Sequence, residues 1–187
     1  PPSNKTHYLT ETTAYTILYS SFLPISIPFY HGPSPLFPHG LILGFADHGD
    51  MYEYIYRAHR IGPLPAVKDL YRWARQATEG LAYAHGLGVL HGDIHVVNFL
   101  LSSSEDEERV GELDLQVADW AGASIWGDKS CSWYRLTQRD RDEEGKKVDM
   151  VISVRSEIFA TGCAIYHMVG GKDLWEGELE YGIGRRL

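Results

Sequence analysis

The chain has 187 residues, 44% of them hydrophobic and 22% charged, which suits one globular domain, or one large lobe with part of a second. Its 25 acidic residues outnumber 17 basic ones, giving a formal charge of −8, and this argues against broad nucleic-acid binding, which needs a net cationic face. No stretch approaches the ~20 apolar residues of a membrane span, and two cysteines, Cys131 and Cys163, suit reduced thiols in the cytoplasm better than a disulfide framework.

The chain opens Pro1-Pro2-Ser3-Asn4, with neither methionine nor a signal-like apolar run, and reads as part of a longer or processed product. Thr10 to Leu18 is predicted helical, because Ala14, Tyr15, Ile17 and Leu18 cluster at three- and four-residue spacing. Ile25 to Tyr30 reads as a strand bent by Pro28. Gly32-Pro33-Ser34-Pro35 and Pro38-His39-Gly40 are turn material. Leu41 to Ala46 is a short apolar run of strand length, Asp47-His48-Gly49-Asp50 breaks it, and Met51 to His59 reads as helix. Val67 to His85 is the long helix: Leu70, Trp73, Ala74, Ala77, Leu81 and Ala84 form one apolar stripe, and Gly86 and Gly88 end it.

Val89-Leu90 and Phe99 to Leu101 are predicted strands on either side of a polar loop, Ser102 to Glu108 is an acidic turn region, and Leu113 to Ala118 is a strand that leads to Asp119. Residues 127–150 are polar, and the run Arg139 to Glu144 reads as a solvated loop. Ile158 to Val169 is apolar almost all round, as expected of a helix buried on every side. No internal repeat and no linker between independent domains is visible. The five tryptophans, Trp73, Trp120, Trp126, Trp133 and Trp175, read as core or site walls.

The chemistry-bearing segment is His91-Gly92-Asp93-Ile94-His95-Val96-Val97-Asn98, entered and left by strands, with Asp119 following 21 residues after Asn98. Phosphoryl transfer asks a protein mainly for a base or aligner of the acceptor hydroxyl and for hard oxygen ligands that hold Mg²⁺ on the phosphates. Two aspartates and an asparagine in this order supply that set. Each alone would be an ordinary turn or capping residue. The alternative at the same place is a zinc site from His85, His91, Asp93 and His95.

The H-x-D-x-x-x-x-N segment resembles the catalytic loop of protein kinases, and Asp119-Trp120-Ala121-Gly122 resembles their D-F-G magnesium motif. Gly40 to Tyr54 looks like the last N-lobe strand, the hinge and the first C-lobe helix. Ser156 to Gly162 resembles the start of the buried C-lobe helix. The match spans about residues 10–176 and is nearest to fungal kinase-like sequences with H-G-D. It implies an α+β, protein-kinase-like fold: a single domain over 1–187, with a partial β N-lobe and hinge at 1–46 and a mainly α-helical, incomplete C-lobe at 47–187. It also implies ATP and Mg²⁺, with Asp93 as catalytic base or aligner, Asn98 and Asp119 as Mg²⁺ ligands, the backbone of Gly44 and Ala46 against adenine, and Asp50 near the ribose. Glu11 matches the glutamate that pairs with the ATP-binding lysine, although a first-turn glutamate favoured by the helix dipole is the plain alternative.

The sequence also departs from the pattern. It shows no Gly-rich loop and no lysine strand, and Lys5 lies only six residues before Glu11. Gly92 replaces the arginine of H-R-D, His95 stands where many Ser/Thr kinases carry lysine, Ala121 replaces the glycine of D-F-G, and Glu157 replaces the aspartate that braces the catalytic loop. The expectation is phosphoryl transfer to a Ser or Thr hydroxyl of a protein, with activity open to loss by truncation. Two alternatives stand beside it: a pseudokinase that binds or scaffolds, and a small-molecule phosphotransferase of the aminoglycoside- or choline-kinase type, whose H-G-D-x-H-x-x-N loop is similar.

Overall fold

A computed structural model describes residues 4–20, 24–130, 132 and 152–174. Cys131, Trp133, Trp175 and the Arg139–Glu144 run lie outside them. The first helix, α1 (Asn4–Leu18), begins six residues earlier than predicted, and it buries Ala14, Tyr15 and Leu18 as its spacing requires. The stretch 25–30 is not a strand. Ile27 is buried, but the backbone there bonds outward: Ser26 O accepts from Val117 N at 2.7 Å and Phe29 O from Gly44 N at 2.6 Å. The ladder starts at the end of this stretch, where β1 (Tyr30–Pro33) pairs antiparallel with β2 (Leu41–Leu43).

Asp50 caps α2 (Met51–Arg60) by accepting from Glu53 N at 2.9 Å, and Arg57, His59 and Arg60 sit in the last turn, where the helix dipole favours cations. The long helix, α3 (Val67–Gly86), buries Trp73, Ala77, Leu81 and Ala84 along its predicted stripe. Among the described residues six strands form three short antiparallel ladders: β1 with β2, β3 (Val89–Leu90) with β6 (Ser124–Ile125), and β4 (Phe99–Ser103) with β5 (Leu113–Val117). Side chains of α3 clamp β5: Trp73 Nε1 donates to Leu113 O at 2.8 Å, Gln76 Nε2 to Asp114 Oδ1 at 2.6 Å, and Leu115 N to Gln76 Oε1 at 2.9 Å. One core unites the elements, with Tyr15, Trp73, Ile94, Phe99, Leu115 and Met168 among its members.

The last described helix, α4 (Val154–Gly170), starts with a reciprocal Ser153–Ser156 capping box and stops at Gly171 in the left-handed conformation. It is not buried on every side. Ala160, Cys163, Ala164 and Met168 face the core, whereas Ile158 and Val169 are exposed. Trp126 is likewise exposed and lies outside the core, its Nε1 donating to Leu87 O at 3.2 Å. Among the described residues no helix is long and apolar enough to cross a membrane.

Candidate active site

Strand pairing explains why two loops distant in sequence meet. Residues 91–98 connect β3 to β4, and residues 118–123 connect β5 to β6. Because β3 pairs with β6 and β4 with β5, the loops lie side by side between the two ladders. The contact continues past the last ladder rung, Phe99 opposite Val117, through Ala118 N donating to Asn98 O at 2.9 Å.

Within the first loop, Asn98 closes a one-turn 3-10 helix and is buried; its Nδ2 donates to Asp93 O at 2.8 Å. That bond fixes the amide orientation and leaves Oδ1 as the acceptor atom. His91 is fully buried. Asp93 N donates to its Nδ1 at 3.2 Å, so its Nε2 carries the proton and donates to Ala118 O at 2.9 Å. The His91 ring packs on Trp120, with centroids 4.6 Å apart. Asp119 itself is exposed and adopts φ 62°, ψ 66°, a left-handed conformation that aspartate tolerates better than most residues.

The floor of the loop is Glu157, fully buried on α4. Its Oε2 accepts from His91 N at 2.9 Å, its Oε1 from Gly92 N at 2.9 Å, and His85 Nε2 stands 3.0 Å from Oε2. The extra methylene of glutamate thus still lets one carboxylate take two successive backbone N–H groups. Gly92 turns between them at φ +81°, and a Cβ there would come within 2.7 Å of Gly122 O and 2.9 Å of Ile152 Cδ1. Glycine is the residue this turn admits.

Glu11 reaches the same place from the other side. α1 packs on the short 3-10 turn Trp120–Gly122, and the Glu11 carboxylate accepts the backbone N–H of Trp120. Burial, reinforced by the nearby charge of Asp119, pushes its pKa up to about 7 against the pull of that hydrogen bond. Among the described residues no lysine or arginine forms an ion pair with Glu11. The Tyr15 hydroxyl, one turn along, is pushed up too, first by burial and then by the charges of Glu11 and Asp119.

Gly44, Ala46 and Asp50 lie on the connection between β2 and α2. Gly44 gives its N–H to Phe29 O, and Ala46 O accepts from Gly49 N at 3.2 Å. The connection is tied to β4, just after Asn98: His48 N donates to Leu101 O at 3.1 Å, Leu101 N donates to Gly49 O at 2.8 Å, and Asp50 bridges Leu100. Asp50 gives one carboxylate oxygen to its helix cap.

The structure therefore brings Asp93, Asn98, Asp119 and Glu11 together, and it holds the Gly44–Asp50 segment to the strand that follows them. Of the nitrogens that the zinc alternative needs, His85 Nε2 is engaged on Glu157 and both ring nitrogens of His91 on Asp93 N and Ala118 O, and among the described residues no group of three or more His, Cys, Asp or Glu side chains is arranged to hold a metal. Sequence reasoning missed the tie between His85 and Glu157, which are 72 positions apart, and the approach of His95 Nε2 to within 3.5 Å of Asp93 Oδ1.

Comparison with known proteins agrees with this geometry. Residues 8–185 match the protein kinase domain family. The chain is 36% identical over 67 residues to the serine/threonine-protein kinase pkpA of Phycomyces blakesleeanus, covering 35% of this chain and 10% of that protein. It is 30% identical over 118 residues to cyclin-dependent kinase 12 of Caenorhabditis elegans, covering 58% and 14%. It is 30% identical over 103 residues to the mitogen-activated protein kinase hog1 of Aspergillus clavatus, covering 55% and 26%. The chain thus spans about a quarter or less of these curated relatives. With the match extending over nearly its whole length, and with the paired loops, the Asn98 bond and the Glu157 floor in place, the chain belongs to the protein kinase family.

Proposed function

We propose that this chain carries the catalytic-loop lobe of an ATP-dependent protein kinase, which transfers the γ-phosphoryl group to a Ser or Thr hydroxyl of a protein substrate in the cytoplasm. The observation that carries the reading is the bond from Asn98 Nδ2 to Asp93 O, together with the strand contact that sets Asp119 beside them. The Ser/Thr preference is drawn from the relatives' names. The organisation read for it is a single kinase-like domain, with 1–46 as partial N-lobe and hinge and 47–187 as C-lobe.

Asp93 takes the proton of the acceptor hydroxyl as its oxygen bonds to the γ-phosphorus. The bond from that phosphorus to the β–γ bridging oxygen breaks, and ADP leaves with the electron pair. Asn98 Oδ1 and the exposed carboxylate of Asp119 are hard oxygen donors, which fits them to hold Mg²⁺. When bound, Mg²⁺ neutralises the charge that develops on the phosphate oxygens. The backbone of Gly44 and Ala46 faces adenine in this reading, and Asp50 lies near the ribose. Since the Gly44 N–H is engaged with Phe29, its carbonyl is the group left for the base.

One observation favours a second reading, a pseudokinase that binds without turnover: Glu11 has no cationic partner among the described residues, and its pKa stands at about 7. A phosphate-binding lysine makes charge-assisted hydrogen bonds worth roughly 1.5–3 kcal/mol each, and losing such bonds is enough to separate binding from catalysis.

Calorimetry of ATP binding with and without Mg²⁺, on this chain and on Asp119→Ala, tests the proposal. Binding that requires Mg²⁺ and weakens at least about tenfold in Asp119→Ala is expected, a loss of ~1.4 kcal/mol or more. A folded chain that binds no ATP at millimolar concentration sinks it.

A further inference from the structure

His95 is buried, 4% exposed, in a loop whose other buried histidine, His91, has both ring nitrogens hydrogen-bonded. Its Nε2 lies 3.5 Å from Asp93 Oδ1, and its Nδ1 is buried without a hydrogen-bond partner. Its backbone carbonyl is engaged with Asn98 N at 2.9 Å. A buried polar atom left unsatisfied is costly, so an apolar residue would serve packing better here. What imidazole adds at this position is a nitrogen facing the Asp93 carboxylate.

The burial also decides the proton. A bare acceptor lone pair is tolerated in an interior more readily than a stranded N–H. The unpartnered Nδ1 is therefore the bare nitrogen, and the proton sits on Nε2, toward Asp93. At 3.5 Å the contact is longer than a formed hydrogen bond. Asp93 is the more exposed of the two side chains, 28% against 5%. Contacts of this kind are often long in unliganded sites and tighten once the substrate is bound.

We infer that His95 is a positioning residue for Asp93: its Nε2–H engages Oδ1 and orients the carboxylate toward the acceptor hydroxyl. The inference rests on the reading of Asp93 as the aligner of that hydroxyl.

Two measurements on the full chain test it. The first needs no turnover. Long-range ¹H–¹⁵N correlation of the histidine rings reports the tautomer of His95, with the signal assigned by its loss in His95→Gln. An Nε2–H tautomer is expected, and an Nδ1–H or averaged ring overturns the inference. The second compares glutamine, whose amide reaches the Nε2 position, with asparagine, whose amide reaches only the Nδ1 position. His95→Gln should keep kcat within about threefold, while His95→Asn should lose about tenfold or more, with KM for ATP unchanged in both, a fraction of the roughly 10²–10⁴ that a positioned base contributes. Equal losses in the two variants, or a loss confined to KM, overturn it. A folded wild-type chain that binds no Mg²⁺–ATP removes the phosphoryl-transfer reading instead, and the tautomer still decides where His95 places its proton.

Discussion

Glu157 Oε2 lies 3.0 Å from His85 Nε2 while accepting the backbone N–H of His91, so one buried carboxylate joins the end of α3, the start of the 91–98 loop and the first turn of α4. Removing one partner of such a group strands the others away from water. Glu157→Ala is expected to lose about 3–5 kcal/mol of stability, and Glu157→Asp less, since it keeps the charge. Urea unfolding measures both. A Glu157→Ala chain within 1 kcal/mol of the parent, on the order of an exposed-pair loss, would show that the loop holds itself.

The turn at Gly92 makes a separate prediction, because two penalties coincide there: a backbone at φ +81° and a wall of Gly122 O, Ile152 and Ser130 Oγ around the missing Cβ. Gly92→Ala should cost about 1–3 kcal/mol from backbone strain. Gly92→Arg, which writes the usual kinase residue into this loop, should cost more rather than restore anything. Thermal melts rank the two variants, and an arginine variant as stable as the parent would mean that the loop readily adopts another path.

What the sequence made legible was periodicity and local order. The stripe from Leu70 to Ala84 placed α3 to within one residue at its end, and the strand–loop–strand pattern around Asp93 and Asn98 matches β3, the 91–98 loop and β4. What it hid was set by partners far along the chain. Ile25 to Tyr30 has strand composition, yet its carbonyls at Ser26 and Phe29 are taken by Val117 and Gly44, one at a time, so the ladder begins only at Tyr30. The apolar run Ile158 to Val169 says that much of the helix surface is greasy, but not which side the neighbours cover, and Ile158 and Val169 lie on the side they leave open. His85 looked like a residue favoured by a helix end, because nothing local marks Glu157 as its partner.

Glu11 gives the site a pH dependence of known sign. Its folded-state pKa, about 7, lies above the ordinary 4.5, so between these values the folded chain binds more protons than the unfolded one. The stability contribution is fully present below about pH 4.5 and is lost as pH rises through about 7. Glu11→Gln removes this dependence. The variant should match the parent near pH 5 and exceed it at pH 8 by on the order of 1–2 kcal/mol, allowing for solvent around a partly exposed carboxylate. Urea melts at the two pH values are the measurement, and an equal gap at both would mean that burial does not hold the proton.

Asp114 gives the opposite slope. It is buried on β5, where burial alone would raise its pKa, but hydrogen bonds from Arg109, Gln76 and Ser104 outweigh this and hold it below the usual carboxylate range. Arg109 grips both oxygens, Nη1 to Oδ1 at 2.6 Å and Nη2 to Oδ2 at 3.0 Å, while Gln76 ties the same carboxylate to α3. A lowered folded-state pKa means stability that is present above the unfolded value of 3.8 and lost as pH falls through the depressed one. Asp114→Ala should therefore cost about 3–5 kcal/mol at pH 7, where it leaves a half-buried guanidinium and a buried amide without their acceptor, and the difference from the parent should narrow by pH 3. Because β5 delivers Asp119 to the site, weakening its anchor should also loosen Mg²⁺-dependent ATP binding more than the loss of an exposed pair such as Arg57–Glu53 does. Calorimetry on Asp114→Ala and Glu53→Ala makes that comparison, and equal binding in the two variants would show that the strand holds its place through the core alone.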